Sequence, residues 1–572
     1  MSDLDADAVI VGSGPGGATV AEVLTAAGWS VAVLEKGRNH LIDTEPPYAP
    51  RHEFSNDELK FSFRHFLGPD PLAEPRTFRR TPEDGERLFT GDVNNLPSTV
   101  GGGGTHADGK LPRFREEDFR LHSERGPIDG ADVLDWPIAY EDLEPYYAAV
   151  ERAIGVAGDH TANPFAAWRS GPYPMPPGPD MFGATLSVPA AERFGLHPYR
   201  APTGANSVPY DGRPACNDCG FCGYYGCPIH AKGDPIAMLQ RALRTGRCDL
   251  RPEAHVTDVL LDAAGRRATG VRYLDEAGNA HEVRAEHVVL AAGAFETPRL
   301  LLLCGVGNSS GLVGRNLMYH FQTFTVGGFP FSLHGERGRS VTHLHDDFCV
   351  PGDDDLAAAR AAGLPWFRGG IVEHGAAAHP IQEALNYPAG ALHNVCMRDS
   401  SLRDHLWVFT MQGEDLAQPA NRIDLDPSVR DVWGRPAGRV TYAPHRHELV
   451  ASAHWAPLLE RVMTEAGAEW SVSSTSPPIA EPGTVVDHPL GMAPASRHVM
   501  GTCRMGNDPA TSVVGPEGRF HDVENLLCAD SSVFATSTGY GPTLTLAALA
   551  YRTASLLAGD PLPTTAPAGR QP

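Results

Sequence analysis

The amino-acid sequence predicts an α/β protein, and three stretches of the chain support this prediction. A strand, a glycine-rich turn, a helix and a second strand follow one another within the first forty residues. A buried strand followed by a helix is predicted at residues 288–303, and another such pair after residue 525. Because strand–helix units of this kind build parallel sheets, we expect one Rossmann-type, nucleotide-binding domain assembled from separate segments of the chain.

The first of these units has the parts of a dinucleotide-binding site. Its turn has the pattern G-x-G-x-x-G, in which glycines let the backbone approach a pyrophosphate and the next helix supplies free N–H groups. Glu35 lies at the sequence distance expected of an acid that hydrogen-bonds a ribose. The alternative is a structural tight turn. We expect five residues of the turn to contact the dinucleotide: Gly12, Gly14, Pro15, Gly16 and Gly17.

The composition indicates a globular protein and disfavours several classes of partner. The chain has 572 residues, 42% of them apolar, and a formal net charge of -23, which argues against binding to nucleic-acid phosphates. No apolar run is long enough to span a bilayer, and no basic and apolar leader precedes the first strand, so we expect no membrane partner. Ten cysteines without the spacing of a small disulfide-rich domain suit a reducing compartment, and we expect a cytoplasmic protein.

Four successive glycines occupy residues 101–104, directly before Thr105 and His106. Because each glycine costs stability in a regular element, we expect Gly101, Gly102 and Gly104 to allow close approach of the dinucleotide rather than to serve packing. If the dinucleotide is a flavin, its ring is expected here, beside His106. The alternative is a flexible loop with a solvent-exposed histidine.

A cysteine-rich loop with the spacing C-x2-C-x2-C-x4-C lies between residues 216 and 227. Such spacing suits a zinc or iron–sulfur site, because thiolates on one loop can converge on one metal. The proline and glycine framework of the loop and the lack of a second cluster half favour packing thiols or a disulfide, so we predict no metal. Four residues form the pattern: Cys216, Cys219, Cys222 and Cys227.

The order of these segments predicts one domain inserted into another. Residues 322–480 are richer in aromatic residues, histidine and alternating strand-like runs than the segments on either side. We therefore expect a nucleotide-binding part at 1–320, a second domain at 321–480, and a second nucleotide-binding part at 481–572. In the last part, a strand ends at Asp530 and a helix starts at Pro542, whose dipole would face an anionic ligand atom.

Together these motifs resemble the glucose-methanol-choline (GMC) flavoprotein oxidoreductase family, especially its bacterial sugar- and glycoside-oxidising and pyranose-oxidase-like members. The resemblance implies FAD as the cofactor and a discontinuous FAD-binding domain with cap and lid segments around 38–90 and 130–215. It also implies that the inserted domain at 321–480 is an α+β substrate-binding domain whose antiparallel sheet covers the flavin. It extends over seven segments: Gly12–Glu35, Val100–Phe119, Asp135–Val156, Val288–Leu303, Val313–His320, Gly413–Tyr442 and His498–Arg552. It adds these residues to the cofactor site: Val256, Ala292, Gly293, Asp530, Pro542 and Thr543.

The resemblance also implies a catalytic base. His498, in the pattern His-x-x-Gly-Thr, corresponds to the histidine that takes the proton of an alcohol while hydride passes to flavin N5. The family's second catalytic position, a histidine or an asparagine, is Gly541 in this chain. Either Tyr540 or a residue of the inserted domain then takes its place, or the substrate is oriented in another way. The expected catalytic-site residues are His498, Tyr540 and Gly541.

Two weaker matches concern the flavin linkage and the substrate. Thr105 and His106 resemble the pyranose oxidase branch, in which the histidine carries the flavin covalently. Ala107 departs from that pattern, which has tryptophan, and we predict no covalent bond. The end of the cysteine loop, residues 231–234, is similar to bacterial members that act on sugars and glycosides.

We therefore predict an FAD-dependent enzyme that oxidises an alcohol group of a sugar-like substrate, with O2 or another compound as electron acceptor. The negative charge of the chain would attract a cation, which favours an aminosugar, an aminoglycoside or a related glycoside. The alternatives are a nonsugar alcohol, such as a sterol or a long-chain alcohol, and a flavin-binding protein that has lost catalysis. An apolar cavity wall between Gln322 and Ala480 would favour the nonsugar alcohol.

Overall fold

The computed structural model describes residues 4–51, 72–91, 93, 96–222, 226–335, 337–376, 390–399, 404–477 and 493–563. Part of the predicted lid segment, residues 52–71, lies outside these ranges, as does the start of the last predicted segment, residues 481–492. Among the described residues, none of the helices combines the length and the apolar composition needed to cross a membrane.

The described strands and helices are as follows. The strands are β1 (Ala6–Val11), β2 (Val31–Leu34), β3 (Arg76–Arg79), β4 (Phe89–Gly91), β5 (Tyr199–Arg200), β6 (Cys248–Arg251), β7 (His255–Leu261), β8 (Ala268–Leu274), β9 (Ala280–Leu290), β10 (His320–Gly328), β11 (Val341–His345), β12 (Val372–Ala376), β13 (Leu406–Glu414), β14 (Arg422–Arg430), β15 (Pro436–Thr441), β16 (Trp470–Ser476) and β17 (Leu526–Cys528). The α-helices are Pro15–Ala26, Gly102–His106, Leu121–Arg125, Tyr140–Ile154, Phe182–Arg193, Pro235–Arg244, Gly293–Cys304, Asp353–Ala361, Ala391–Asp399, Arg446–Glu465 and Thr543–Leu557.

The first sheet has the order β6-β2-β1-β9-β8-β7, with β17 beside β9. Parallel pairing joins neighbours in the series β6, β2, β1, β9 and β17. β8 pairs antiparallel with β9 on one side and with β7 on the other. Val9 and Ile10 of β1 are fully buried, as expected of a central strand covered on both faces. The three predicted strand–helix units thus meet in one sheet, and the predicted α/β fold is confirmed.

The turn after β1 brings a helix close to the sheet. The helix begins at Pro15, where the missing N–H costs nothing, and Gly12 has a φ of 101°. A Cβ on Gly16 would lie 1.8 Å from the carbonyl oxygen of Ala529, which follows β17, and one on Gly17 would lie 2.0 Å from the carbonyl oxygen of Gly12. These glycines therefore allow the direct packing of helix on sheet.

The glycine run at residues 101–104 differs from expectation, because it starts a short helix, Gly102–His106, and two of its glycines do serve packing. A Cβ on Gly101 would lie 2.3 Å from Cγ2 of Thr105. One on Gly104 would lie 2.6 Å from Cγ of Pro235, the first residue of a neighbouring helix. Tight packing against the protein itself therefore accounts for part of the run.

The second sheet has the order β16-β10-β13-β12-β11-β5, and each of its pairings is antiparallel. Helices Phe182–Arg193 and Arg446–Glu465 contact one face of this sheet. That face includes Trp407 and Phe409 of β13, which are fully buried. The alternate residues of β10 and β13 border the cavity described below.

The third sheet joins distant parts of the chain in the order β14-β15-β3-β4. β14 and β15 belong to the predicted substrate-binding segment, whereas β3 and β4 lie within or next to the predicted lid segment. β15 runs parallel to β3, and the two strands pair from Gly438 with Arg76 to Thr441 with Arg79. The predicted domain boundaries stay a prediction.

Candidate active site

A cavity of about 750 Å³ lies between the turn after β1 and the antiparallel sheet. Most of the predicted cofactor residues border it: Gly12, Gly14, Pro15, Gly16, Glu35, Gly102, Gly104, His106, Val256, Ala292, Gly293, Asp530, Pro542 and Thr543. His498 borders it as well. Gly17, Gly101 and Thr105 are not among the described residues of the lining. Gly17 and Thr105 instead contact the lining residues Gly12 and Gly102, and Gly101 packs against Thr105.

The backbone at the glycine turn leaves room for a phosphate group. A Cβ built on Gly14 would meet no protein atom within 4 Å, although its neighbours Gly12 and Gly16 are tightly packed. Gly14 directly precedes the helix Pro15–Ala26, whose first N–H groups and positive dipole end face the same space. The turn therefore fits a dinucleotide pyrophosphate.

Glu35 is fixed at the border of the cavity by Ser13 and Gly37. The backbone N–H and the hydroxyl of Ser13 donate to Oε2 of Glu35 at 3.0 and 2.7 Å, and the N–H of Gly37 donates to Oε1 at 2.9 Å. The Ser13 hydroxyl also accepts a hydrogen bond from the N–H of Gly101, at 3.0 Å. This network holds the Glu35 carboxylate in one orientation, which suits an acid that binds a ribose hydroxyl. Ser13 has no recognisable role in the sequence motif, and only the folded structure shows its contact with Glu35.

Asp530 links the end of β17 to the helix that begins at Gly293. Its Oδ2 accepts hydrogen bonds from the N–H of Gly293 at 3.0 Å and from the hydroxyl of Thr297 at 2.6 Å. Its Oδ1 accepts from the N–H of Ser532 at 2.9 Å. The side chain is buried, so its part in the site is to hold two cavity-lining segments together.

His498 contacts a second histidine, His320, which was not predicted to take part in the site. The Nδ1 atoms of His498 and His320 lie 3.0 Å apart, and one of them must carry the proton of this hydrogen bond. His320 Nε2 lies 3.4 Å from the carbonyl oxygen of Ser537, which can only accept, so we assign the His320 proton to Nε2. His498 Nδ1 is then the donor, and His498 Nε2 keeps a free lone pair.

Both histidines are held in the neutral form. Burial lowers the pKa of His320 to about 4. Burial, the neighbouring His320 and the Lys110 ammonium together hold the pKa of His498 well below its usual range. A neutral imidazole with a free lone pair can accept a proton from an alcohol.

Gly541, the predicted second catalytic position, and its neighbour Tyr540 have different surroundings. A Cβ on Gly541 would meet only the carbonyl oxygen of Lys110, at 4.0 Å, so this position leaves open space. Tyr540 is fully buried, and its hydroxyl donates to Oδ2 of Asp346 at 2.9 Å. Tyr540 is also not among the described residues that border the large cavity.

A partly buried polar cluster lies near His498 and comes from three separate segments. Lys110 Nζ forms ion pairs with Glu373 at 2.5 Å and with Asp108 at 3.1 Å. Burial alone would lower the pKa of Lys110, but the two carboxylates outweigh it and raise the pKa. Gln412 Nε2 donates to Oε1 of Glu373 at 3.1 Å. Asp108 and Glu373 border the cavity, so the cluster can offer both charge and hydrogen bonds to a polar ligand.

The antiparallel sheet presents a mixed wall to the cavity. Thr410, which pairs with Phe324, gives this wall a hydroxyl group. Gln322 and Gln412 follow on the same two strands toward His320, outside the described lining of the cavity. Farther along β10 and β13 the lining is apolar and consists of four residues: Phe324, Val326, Leu406 and Val408. The wall therefore has the polar groups expected for a sugar at one end and an apolar strip at the other.

The cysteine loop contains thiols rather than disulfides, since all ten cysteines of the chain are unpaired with one another. Burial raises the pKa of Cys222 to about 12. Within the described part of the chain, no group of three or more histidine, cysteine and acidic residues is arranged to hold a metal ion. The next segment has a clear structural role, because Lys232 Nζ donates to the carbonyl oxygens of Thr105 and Ala107, each at 2.7 Å.

Comparison with protein families gives two matches, both to models described as GMC oxidoreductase, at residues 200–322 and 417–550. The 2-methyl-1,2-propanediol dehydrogenase of Mycolicibacterium austroafricanum is 31% identical to this chain over 567 residues, which cover 96% of this chain and 94% of the relative. The 6'''-hydroxyparomomycin C oxidase of Streptomyces lividus is 30% identical over 576 residues, covering 96% and 91%.

The fold is also similar to that of formate oxidase from Aspergillus oryzae. The TM-score is 0.66, and the alignment covers 98% of this chain and 99% of the other. The sequences are 15% identical, so this likeness concerns the fold alone.

Proposed function

The chain belongs to the GMC oxidoreductase family, and on that premise we propose that it oxidises an alcohol group of a sugar-like substrate to an aldehyde or a ketone. It is an FAD-dependent oxidoreductase, as the family match implies. The observation that carries the proposal is the position of His498, which borders the cavity and keeps Nδ1 toward His320.

In the proposed reaction, His498 Nε2 accepts the proton of the substrate hydroxyl. His498 Nδ1 keeps its own proton and donates a hydrogen bond to Nδ1 of His320, so the imidazole stays in one tautomer and one orientation. FAD, when bound, supplies the acceptor for the hydride that leaves the alcohol carbon. Gly14, Glu35 and the helix beginning at Pro15 are the proposed contacts for its pyrophosphate and ribose.

We assign the second substrate contact to the polar cluster of Asp108, Lys110, Glu373 and Gln412. Gly541 offers no side chain, and the Tyr540 hydroxyl is bound to Asp346, which argues against Tyr540 in this role. Lys110 and Gln412 are donors, and Asp108 and Glu373 are acceptors, so the cluster suits the several hydroxyl groups of a sugar or the ammonium of an aminosugar. The relative named for 6'''-hydroxyparomomycin C supports an aminosugar-containing substrate.

A nonsugar alcohol is the second candidate. The apolar strip of Phe324, Val326, Leu406 and Val408 supports it, because an apolar wall suits a hydrocarbon substituent. The relative named for 2-methyl-1,2-propanediol also supports a substrate that is not a sugar.

Anaerobic bleaching of the flavin tests the proposal. The purified protein is mixed with neutral sugars, aminosugars, glycosides and long-chain alcohols, and the loss of flavin absorbance is followed. We expect fast bleaching with a sugar or an aminosugar, and a rate roughly a hundredfold lower in His498→Ala, which should retain FAD. His281→Ala is the matched control, because that side chain is 45% exposed at the far end of β9.

Three outcomes would count against the proposal. Bleaching by His498→Ala at the wild-type rate would remove the role of this histidine. Preference for long-chain alcohols would favour the second candidate. No bleaching with any alcohol would favour a flavin-binding protein without catalytic activity.

A further inference from the structure

The end of the cavity beyond Glu35 is covered by a turn from a distant part of the chain. This turn, residues 431–435, connects β14 and β15 and lies in the segment predicted to bind substrate. The cavity at this end is bordered by Lys36, His255, Val256, Arg299, Leu303 and Arg435. Arg435 is thus the contribution of the 431–435 turn to the lining.

Asp431 holds the turn in place. One carboxylate oxygen accepts hydrogen bonds from the backbone N–H groups of Trp433 at 3.0 Å and Arg435 at 2.8 Å. The other accepts from Nη2 of Arg299 at 2.6 Å. Arg299 lies on the helix Gly293–Cys304, which starts at the cavity, and the side chains of this ion pair are 6% and 1% exposed. A buried, charge-assisted contact therefore ties the turn to a wall of the cavity.

Trp433 forms the outer cover at this end. Its ring stacks on that of His255, with centroids 4.2 Å apart and planes 13° from parallel. His255 borders the cavity and is almost fully buried, whereas Trp433 is 37% exposed. The His255 ring thus lies on the cavity side of the stack and the Trp433 ring on the solvent side.

We propose that the 431–435 turn retains FAD by enclosing its adenosine half. If the pyrophosphate lies at Gly14 and the ribose at Glu35, the adenine occupies the cavity beyond Glu35, between Val256 and Arg435. A planar purine suits this end, because an aromatic pair and a guanidinium offer stacking and cation–π contacts. This inference rests on the FAD site and not on the identity of the alcohol that is oxidised.

The release of FAD from the holoprotein tests this proposal. Each variant carries His106→Ala, so that a bond through that residue cannot hold the flavin, and release is followed by flavin fluorescence after dilution. We expect Trp433→Ala and Arg435→Gln to release FAD about fivefold to tenfold faster than the parent protein. Trp470→Ala is the matched control, because this tryptophan is 44% exposed on β16, outside the cavity lining.

FMN distinguishes contact with adenosine from a general loosening of the fold. FMN lacks the adenosine half, so its dissociation constant should be the same in the parent protein and in Trp433→Ala. Equal weakening of FMN and FAD would overturn the proposal. Release of FAD from Trp433→Ala and Arg435→Gln at the parent rate would overturn it as well.

Discussion

His498 is held in one tautomer by a histidine that lies 178 residues away in the chain. His320 starts β10, and its Nε2 faces the carbonyl oxygen of Ser537, just before the carboxyl-terminal helix. Because this carbonyl can only accept, it sets the tautomer of His320 and through it that of His498. A buried backbone oxygen thus determines which nitrogen of His498 can act as a base.

We predict that His320→Leu lowers the rate of flavin reduction and moves its acid limb to higher pH. In the proposed reaction the active form of His498 is unprotonated, and His320 helps to keep the pKa of His498 below the usual range. Without His320 the pKa rises, so protonation inactivates the base at a higher pH. His320→Asn can keep an acceptor near the position of Nδ1 and should shift the limb less.

The measurement is the pH dependence of kcat/KM, with FAD content as the control. An acid limb at the same pH in His320→Leu and the wild type would contradict the role of His320 in lowering the pKa of His498. Loss of FAD from both variants, with normal kinetics for the molecules that retain it, would point to a purely structural role.

Two glycines of the turn after β1 have different functions, although they are two residues apart. Gly14 faces the cavity, since a Cβ there would meet no protein atom within 4 Å. Gly16 faces the sheet, since a Cβ there would lie 1.8 Å from the carbonyl oxygen of Ala529. Gly16 therefore serves the packing of the helix Pro15–Ala26, and Gly14 is the proposed contact for the cofactor.

We predict that Gly14→Ala folds normally but binds FAD weakly, because its methyl group enters the space of the pyrophosphate. Gly16→Ala should destabilise the protein itself, by roughly 1 to 3 kcal/mol, because backbone atoms must move to admit the methyl group. Thermal unfolding without added FAD and flavin binding separate the two effects. Equal loss of stability in both variants would contradict this division.

The whole molecule carries a formal net charge of -23, which favours the approach of cations. The cluster near His498 adds two carboxylates around one ammonium inside the cavity. Attraction over long distances affects mainly the rate of association, whereas in the proposed function the contacts of the cluster orient the bound substrate.

We predict that kcat/KM for an aminosugar falls as ionic strength rises, while that for a neutral sugar stays constant. Salt screens charges over about 10 Å at 0.1 M, so the long-range attraction weakens first. The measurement is kcat/KM from low to high salt, with the neutral sugar as the control. The same salt response for both sugars would remove the preference for a cation and leave the oxidation of sugar-like alcohols.

Much of the fold could be predicted because its signals are local. The unit around Gly12 and Glu35 follows from the spacing of glycines, apolar residues and one acid, and the helix at Gly293 follows a buried apolar run. The carboxyl-terminal helix starts at Thr543, one residue after the predicted Pro542. The packing role of Gly104 could not be predicted, because its neighbour Pro235 comes from a distant segment and meets it only in the folded chain.

By itself, the sequence determined the α/β fold, the dinucleotide turn and the motif that contains His498. Only the tertiary structure decided that His320 supports His498, that Lys110 meets Glu373, and that the 431–435 turn lies on His255. The first group depends on residues at fixed short spacings, where backbone geometry alone relates one side chain to the next. The second group depends on strand pairing and helix packing between segments far apart in the chain, and such contacts exist only when the core has formed.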